Sequence, residues 1–184
     1  MPTRMELRFQ RQQRRQKEAR LWALELAAAV ILALVVRTCL FSLTTVQGPS
    51  MQETLHSGQV VAVDKLYFRF HPFARGLVVI CRYPGGDDYY VKRIVGLPGE
   101  TVEIRSGRPY IDGAPLEEDY VVYPAQSDFG PYMVEEGRVF VMGDNRANSH
   151  DSRAEGALEE KSIVGRVVAV CFPLGEARPI KAAP

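Results

Sequence analysis

Cysteine and histidine are scarce in this chain, with three of each among 184 residues. Cys39, Cys81 and Cys171 make a poor disulfide framework; Cys81 and Cys171 fall in apolar, strand-like runs, where a buried thiol acts as a small hydrophobe. A Cys81–Cys171 bridge stays open, because connectivity depends on geometry. No C-x-x-C pair and no histidine-rich cluster offers zinc ligands, so the chemistry expected is free of metal and cofactor. An excess of one charge is missing too. Lys and Arg number 23 and Asp and Glu 22, a net +1 that gives no argument for nucleic-acid binding. Repeats and low-complexity tracts are absent, and no convincing long helix follows residue 43. The length suits one domain with an appendage, and roughly 140 residues bury a core without disulfide staples.

The charge balance conceals a division. Residues 1–41 carry eight Lys/Arg against three Asp/Glu, and residues 42–184 carry fifteen against nineteen. After the basic start comes Leu26–Val36, eleven uncharged residues that Arg37 interrupts. A bilayer needs about 20. Extending the run to Leu21–Leu43 supplies the length but takes in Glu25 and Arg37 near its ends, where the long Arg37 side chain snorkels to headgroups. Trp22 and Phe41 then sit near the two interfaces. A cleaved signal peptide fits less well, since no small-residue cleavage site stands out, and a buried soluble helix is the third reading. The reading adopted is a basic cytoplasmic segment over 1–20, one transmembrane anchor over 21–43, and an extracytoplasmic domain over 44–184.

Beyond the anchor the pattern turns to period two and short apolar runs bounded by Gly and Pro. Gln59–Leu66 reads as a strand, and Leu77–Tyr83 and Tyr89–Val95 as an antiparallel hairpin across the turn cluster Pro84–Asp88. Thr101–Arg105 and Pro109–Ile111 form a second hairpin around Ser106-Gly107. In the Gly-, Pro- and acid-rich stretch 112–137, Tyr120–Tyr123 is the only strand candidate; Arg138–Met142 and Ile163–Phe172 complete the set. The domain is mostly β.

Three segments carry chemistry: Val46-Gln47-Gly48-Pro49-Ser50-Met51, the strand around Lys92-Arg93, and Gly143–Arg153. A serine after Gly-Pro is by itself an ordinary turn residue, and its hydroxyl is a weak nucleophile until a base removes its proton. His56 and His71 are poor candidates for that base, and His150 is the serious rival because Asp151 follows it. In an extended segment, however, adjacent side chains face opposite ways, so Asp151 is badly placed to orient His150. Lys92 is the better candidate. Tyr89, Tyr90, Val91, Ile94 and Val95 offer apolar surroundings, and burial lowers a lysine pKa. Arg93 stays protonated and falls on the opposite face.

Taken together, these segments resemble bacterial type I signal peptidase of the short, single-anchor type, over about residues 26–171. The resemblance implies a signal-peptidase-like antiparallel β domain preceded by one N-terminal transmembrane helix. It implies a membrane-bound serine endopeptidase that removes signal peptides from exported preproteins. Its partners are then signal peptides and the lipid bilayer, with a functional link to the export machinery, in the bacterial cell membrane. Ser50 corresponds to the nucleophile and Lys92 to the general base, with Ser149 orienting the lysine. Arg93 and Asp144 correspond to a structural ion pair, and Asp151 and Arg153 to further support. Asn145 and Arg146 match without an assigned role. Val46, Met51, Leu55, Ile80, Tyr90 and Val91 map to the shallow apolar pockets for the small −1 and −3 side chains, or else to ordinary core.

Departures from the family pattern are local. Gly48 stands where some relatives supply a serine hydroxyl to the oxyanion hole, so Ser50 N–H is the expected donor and the second is open. Glu53 replaces a usual proline, which brings a carboxylate near the cleft, and Leu77 replaces a usual aspartate. The inserted domain of some Gram-negative relatives is reduced to residues 101–137. Two alternatives remain: a catalytically inactive membrane-tethered binding module, and a self-cleaving regulator like the SOS repressors, which carry a DNA-binding domain where this chain has its anchor.

Overall fold

The computed structural model describes residues 4–35 and 40–183, which separate into a unit over 1–40 and a unit over 41–184. In the first, helix α1 (Arg4–Val35) runs through both the basic segment and the start of the apolar run. Leu21, Trp22, Leu24, Leu26, Val30, Ile31, Leu32 and Leu34 are exposed on it. Among the described residues no helix is long and apolar enough to cross a membrane. The anchor expected over 21–43 includes Val36–Cys39, which lie outside the described residues, and its far end differs from the expectation. Phe41–Leu43 belong to a strand, because Phe-Ser-Leu-Thr-Thr alternates with period two and ends in β-branched residues.

The second unit is built from β1 (Phe41–Thr45), β2 (Val60–Asp64), β3 (Val78–Cys81), β4 (Tyr90–Gly96), β5 (Thr101–Arg105), β6 (Arg108–Ile111), β7 (Ala114–Pro115), β8 (Phe129–Met133), β9 (Arg138–Met142), β10 (Leu158–Glu159), β11 (Ile163–Phe172) and β12 (Arg178–Pro179). One antiparallel sheet has the order β1-β2-β11-β3-β4-β9-β10, with β12 added to β11. A second has the order β7-β6-β5-β8. The short helices α2 (Tyr67–Phe70) and α3 (Ser152–Glu155) interrupt the β structure. Both expected hairpins form, β3 with β4 and β5 with β6.

The continuous apolar run of β3 is the sign of a strand covered on both faces. Val78 and Ile80 enter one core with Val46, Met51, Leu55, Val61 and Val63, while Val79 and Cys81 enter another with Leu77, Ile94, Val141 and Leu158. A third core joins Val95, Phe140 and Met142 of the large sheet to Val102 and Ile104 of the small one. Cys81 and Cys171 are free thiols, and burial pushes the Cys81 thiol up to about 12.

Two expectations for the 112–137 stretch are corrected. Tyr120–Tyr123 forms no strand; the Tyr123 carbonyl accepts from Arg146 backbone N–H and the Tyr120 ring lies against the Arg93 guanidinium, so one isolated backbone bond and a ring contact hold this segment in place of a ladder. The strands of this region are instead the two-residue Ala114–Pro115 and Phe129–Met133, the latter hidden in sequence by Gly130-Pro131. Proline is tolerated there because β8 is the edge of the small sheet.

Gly96 marks where the sheets meet. A Cβ at this position would lie 2.5 Å from Val102 Cγ2 and 3.0 Å from Phe140 Cβ. Gly96→Ala is therefore expected to destabilise the protein by about 1–3 kcal/mol through overpacking. Urea unfolding in detergent checks this, and an unchanged midpoint would show that the sheets part without cost.

Candidate active site

Lys92 lies in β4 opposite Val79, between strands β3 and β9, and shares a strand face with Ile94. It is only 2 % exposed. Burial holds its amine below the ordinary lysine value of 10.5, against the charge of Asp151, which pulls the other way. Its Nζ donates to Ser149 Oγ at 3.0 Å.

Ser50 comes from a distant part of the chain. It sits in a turn between β1 and β2, and its carbonyl accepts from Asn145 N–H at 3.1 Å. The link between Ser50 and Ser149 is Gly143. A Cβ there would lie 2.3 Å from Ser149 Oγ and 2.4 Å from the Ser50 carbonyl oxygen, so only glycine lets the two serines approach. Among the described residues no hydrogen bond engages the Ser50 hydroxyl or N–H, and none joins Ser50 to Lys92. Ser50 lines a groove of about 390 Å³ with Thr44, Thr45, Ile80, Tyr90 and Val91.

Arg93, one position on, points the other way, as the strand period requires. Its Nε donates to Asp144 Oδ1 at 2.8 Å and Nη2 to Oδ2 at 2.6 Å, with the two residues 2 % and 0 % exposed. Nη1 donates to the Gly76 carbonyl at 2.7 Å. Thr54, from the Ser50 segment, completes the cluster by donating to Asp144 Oδ2 at 2.5 Å. This fork ties β4, the residues after β9 and the Ser50 segment together.

Asp151 turns inward. It accepts from Gly143 N–H at 3.1 Å and from Arg153 Nε and Nη2 at 2.8 and 2.9 Å. Burial raises its pKa, yet Arg153, with the Ser149 hydroxyl and Gly143 N–H, holds the carboxyl below the usual range. Arg153 Nη2 also reaches the Ser149 carbonyl. His150 points out to Glu155, and His56 faces Glu53, so neither histidine serves Ser50. Gly48 is exposed at φ +81°, with no side chain to offer.

Of the six residues mapped to substrate pockets, Ile80, Tyr90 and Val91 line the groove with Ser50. Val46, Met51 and Leu55 do not; they are packed in the core beneath it. Glu53 accepts from Tyr123 Oη at 3.3 Å, and Leu77 is buried in the second core. Sequence reading did not find four supporting residues. Gly143 and Arg146 stand in a segment it singled out, but their partners are remote. Arg146 is buried, donates through Nε to the Gly143 carbonyl, and forms a fork with Glu118 at 2.6 Å through each Nη. Thr54 and Glu118 carry no sequence signal at all.

A serine-bearing turn, a buried amine whose charged form burial disfavours and a groove lined by Ser50, Ile80, Tyr90 and Val91 are ingredients of hydrolytic chemistry on a serine. The comparisons narrow this. Residues 19–172 match the family described as signal peptidase, peptidase S26. The chain is 39 % identical over 171 residues to signal peptidase I of Bacillus amyloliquefaciens, covering 87 % of this chain and 91 % of the relative. It is 39 % identical over 169 residues to signal peptidase I S of Bacillus subtilis, covering 85 % and 91 %. It is 37 % identical over 156 residues to probable signal peptidase I-1 of Synechocystis, covering 80 % of each chain. The chain belongs to the signal peptidase family, peptidase S26, and is a serine peptidase that hydrolyses peptide bonds of signal peptides.

Two substitutions test the geometry. Asp144→Ala leaves Arg93 buried without its partner and is expected to cost about 3–5 kcal/mol in denaturant unfolding; a loss below 1 kcal/mol (roughly the worth of an exposed pair) would mean water reaches the fork. Gly143→Ala is expected to lower the cleavage rate about 10²-fold by pushing Ser149 and Ser50 apart. Wild-type turnover of a model preprotein by this variant would remove Gly143 from the site.

Proposed function

We propose that Ser50 is the nucleophile and Lys92 the general base of this peptidase. The observation that carries the reading is the Lys92 amine: buried, held below the ordinary lysine range, and hydrogen-bonded to a serine that meets Ser50 across Gly143. A preprotein lies extended in the groove, its scissile carbonyl over Ser50 and its small side chains against Ile80, Tyr90 and Val91. Lys92 Nζ takes the Ser50 proton as Oγ bonds to the carbonyl carbon. Ser50 N–H steadies the developing oxyanion. Lys92 then gives the proton to the departing amine as the C–N bond breaks. Water attacks the ester carbonyl, losing its proton to Lys92; the bond from the acyl carbon to Ser50 Oγ then breaks, Lys92 returns that proton to Oγ, and the freed signal-peptide carboxylate leaves.

The groove residues, all from residue 44 onward, work at the outer surface of the bacterial membrane in this reading. The anchor lies within residues 21–40, with the basic segment of Arg4–Arg20 on the cytoplasmic side. The Lys/Arg cluster and the apolar run that follows it support that orientation.

Ser50→Ala and Lys92→Ala are each expected to reduce cleavage of a model preprotein by at least about 10³-fold; either variant retaining wild-type turnover would refute the dyad. The rate should climb with pH through the Lys92 pKa, which burial places below 10.5. Folding responds with the same sign. Between the folded and unfolded pKa values the unfolded chain binds the extra proton, so stability rises with pH there. Lys92→Met removes this dependence and is expected to raise the unfolding midpoint at pH 7. A pH profile identical in wild type and Lys92→Met would contradict the assignment.

A further inference from the structure

The family match ends at residue 172, yet the chain beyond it returns to the active site. Pro173–Ala183 follows β11, makes a short turn at Leu174–Glu176, and pairs as β12 with Val170 and Ala169 of β11. Ile180 packs against the core that contains Met51 and Leu55, the residues flanking the Ser50 turn, and its N–H donates to the Val168 carbonyl at 2.9 Å. From that position the tail makes three polar attachments. Arg178 Nη2 donates to the Thr54 carbonyl at 2.8 Å. Glu176 Oε2 accepts from Gln59 Nε2 at 2.5 Å, while the other end of the same Gln59 amide accepts from His56 N–H at 3.0 Å. Ala183 N–H donates at 3.3 Å to the Gly76 carbonyl, which also receives Arg93 Nη1.

These attachments are not scattered. Thr54, His56 and Gln59 form the return limb of the Ser50 segment, and Gly76 is the outer acceptor of the Arg93 fork. Thr54 itself donates to Asp144, whose neighbour Asn145 holds the Ser50 carbonyl. The segment is therefore gripped from two sides, by Asp144 and Asn145 on one and by the tail on the other. Gln59 is 2 % exposed, so its amide needs both partners, and one of them comes from the tail.

We propose that residues 173–183 act as a strap that sets the position of Ser50, with Arg178 as its positioning residue acting through Thr54. The strap rests on Ser50 being the nucleophile and adds an element outside the matched family region. Arg178 touches no substrate in this account; it fixes the limb whose displacement would move Ser50 away from Lys92 and the groove.

The test uses the full chain in detergent and a model preprotein. Arg178 is exposed, so Arg178→Ala folds normally, with a thermal midpoint within about 2 °C of wild type. Its kcat is expected to fall about 10-fold with KM unchanged, because the nucleophile and not the groove is displaced. Arg178→Lys keeps a donor for the Thr54 carbonyl and is expected to retain kcat within about threefold. An unchanged kcat in Arg178→Ala overturns the strap, as does a loss that tracks a fall in thermal midpoint, or a lysine variant as slow as the alanine variant. Ser50→Ala separates the two readings. If it still cleaves, the nucleophile assignment fails and the strap with it; if it is inactive while Arg178→Ala is normal, only the strap fails.

Discussion

The fork between Arg93 and Asp144 is the contact on which the rest of the site depends. It joins three pieces of chain that are distant in sequence: strand β4, the residues leaving β9, and the Ser50 segment through Thr54. A buried ion pair of this kind is weak evidence for net stability, because desolvating both charges offsets most of the attraction. What it supplies is geometry. Two parallel hydrogen bonds admit one orientation, and that orientation fixes where Lys92, the preceding residue, projects. Tyr120 covers the guanidinium at 3.9 Å and helps keep water out.

The amine of Lys92 shows how the same frame serves chemistry. Burying a lysine disfavours its charged form, and the nearby carboxylate of Asp151 opposes that effect. Arg153 engages Asp151 through two nitrogens, so the carboxylate is already neutralised by a closer partner than the lysine. The lysine is left with Ser149. Arg146 and Glu118 repeat the device one layer out, holding the Gly143 carbonyl while Asp151 holds its N–H. Gly143 is thereby fixed at both ends of its peptide groups, which is what allows two serines to close on a residue without a side chain.

The departures from the family pattern take on physical meaning in the fold. Leu77 sits in the core beside β3, where an apolar side chain is the natural occupant. Glu53 remains at the surface between Tyr123 and His56, outside the groove lining. Among the described residues neither side chain is hydrogen-bonded or ion-paired to Lys92 or Ser149.

Much of the architecture was legible because it is written in local periodicity. Alternating apolar residues marked β2, β4, β5, β9 and β11, and the Pro-Gly and Ser-Gly turns marked both hairpins. The segments of Ser50, Lys92 and Ser149 stood out because ordered motifs carry them, the pairing of Lys92 with Ser149 is present in the fold, and the opposite faces of Lys92 and Arg93 follow from the strand period alone. Other features have no local signature. β8 is interrupted by Gly130-Pro131 and exists only because β5 pairs with it; Thr54, Glu118 and Arg178 matter only through residues 28 to 124 positions away. Composition and spacing thus marked the segments that carry ordered polar motifs and the strands whose apolar residues alternate or run unbroken. Tertiary packing decided which pocket candidates face the groove and which fill the core, and which serine the buried amine meets, since burial and proximity are properties of the closed sheet and of no single stretch of chain.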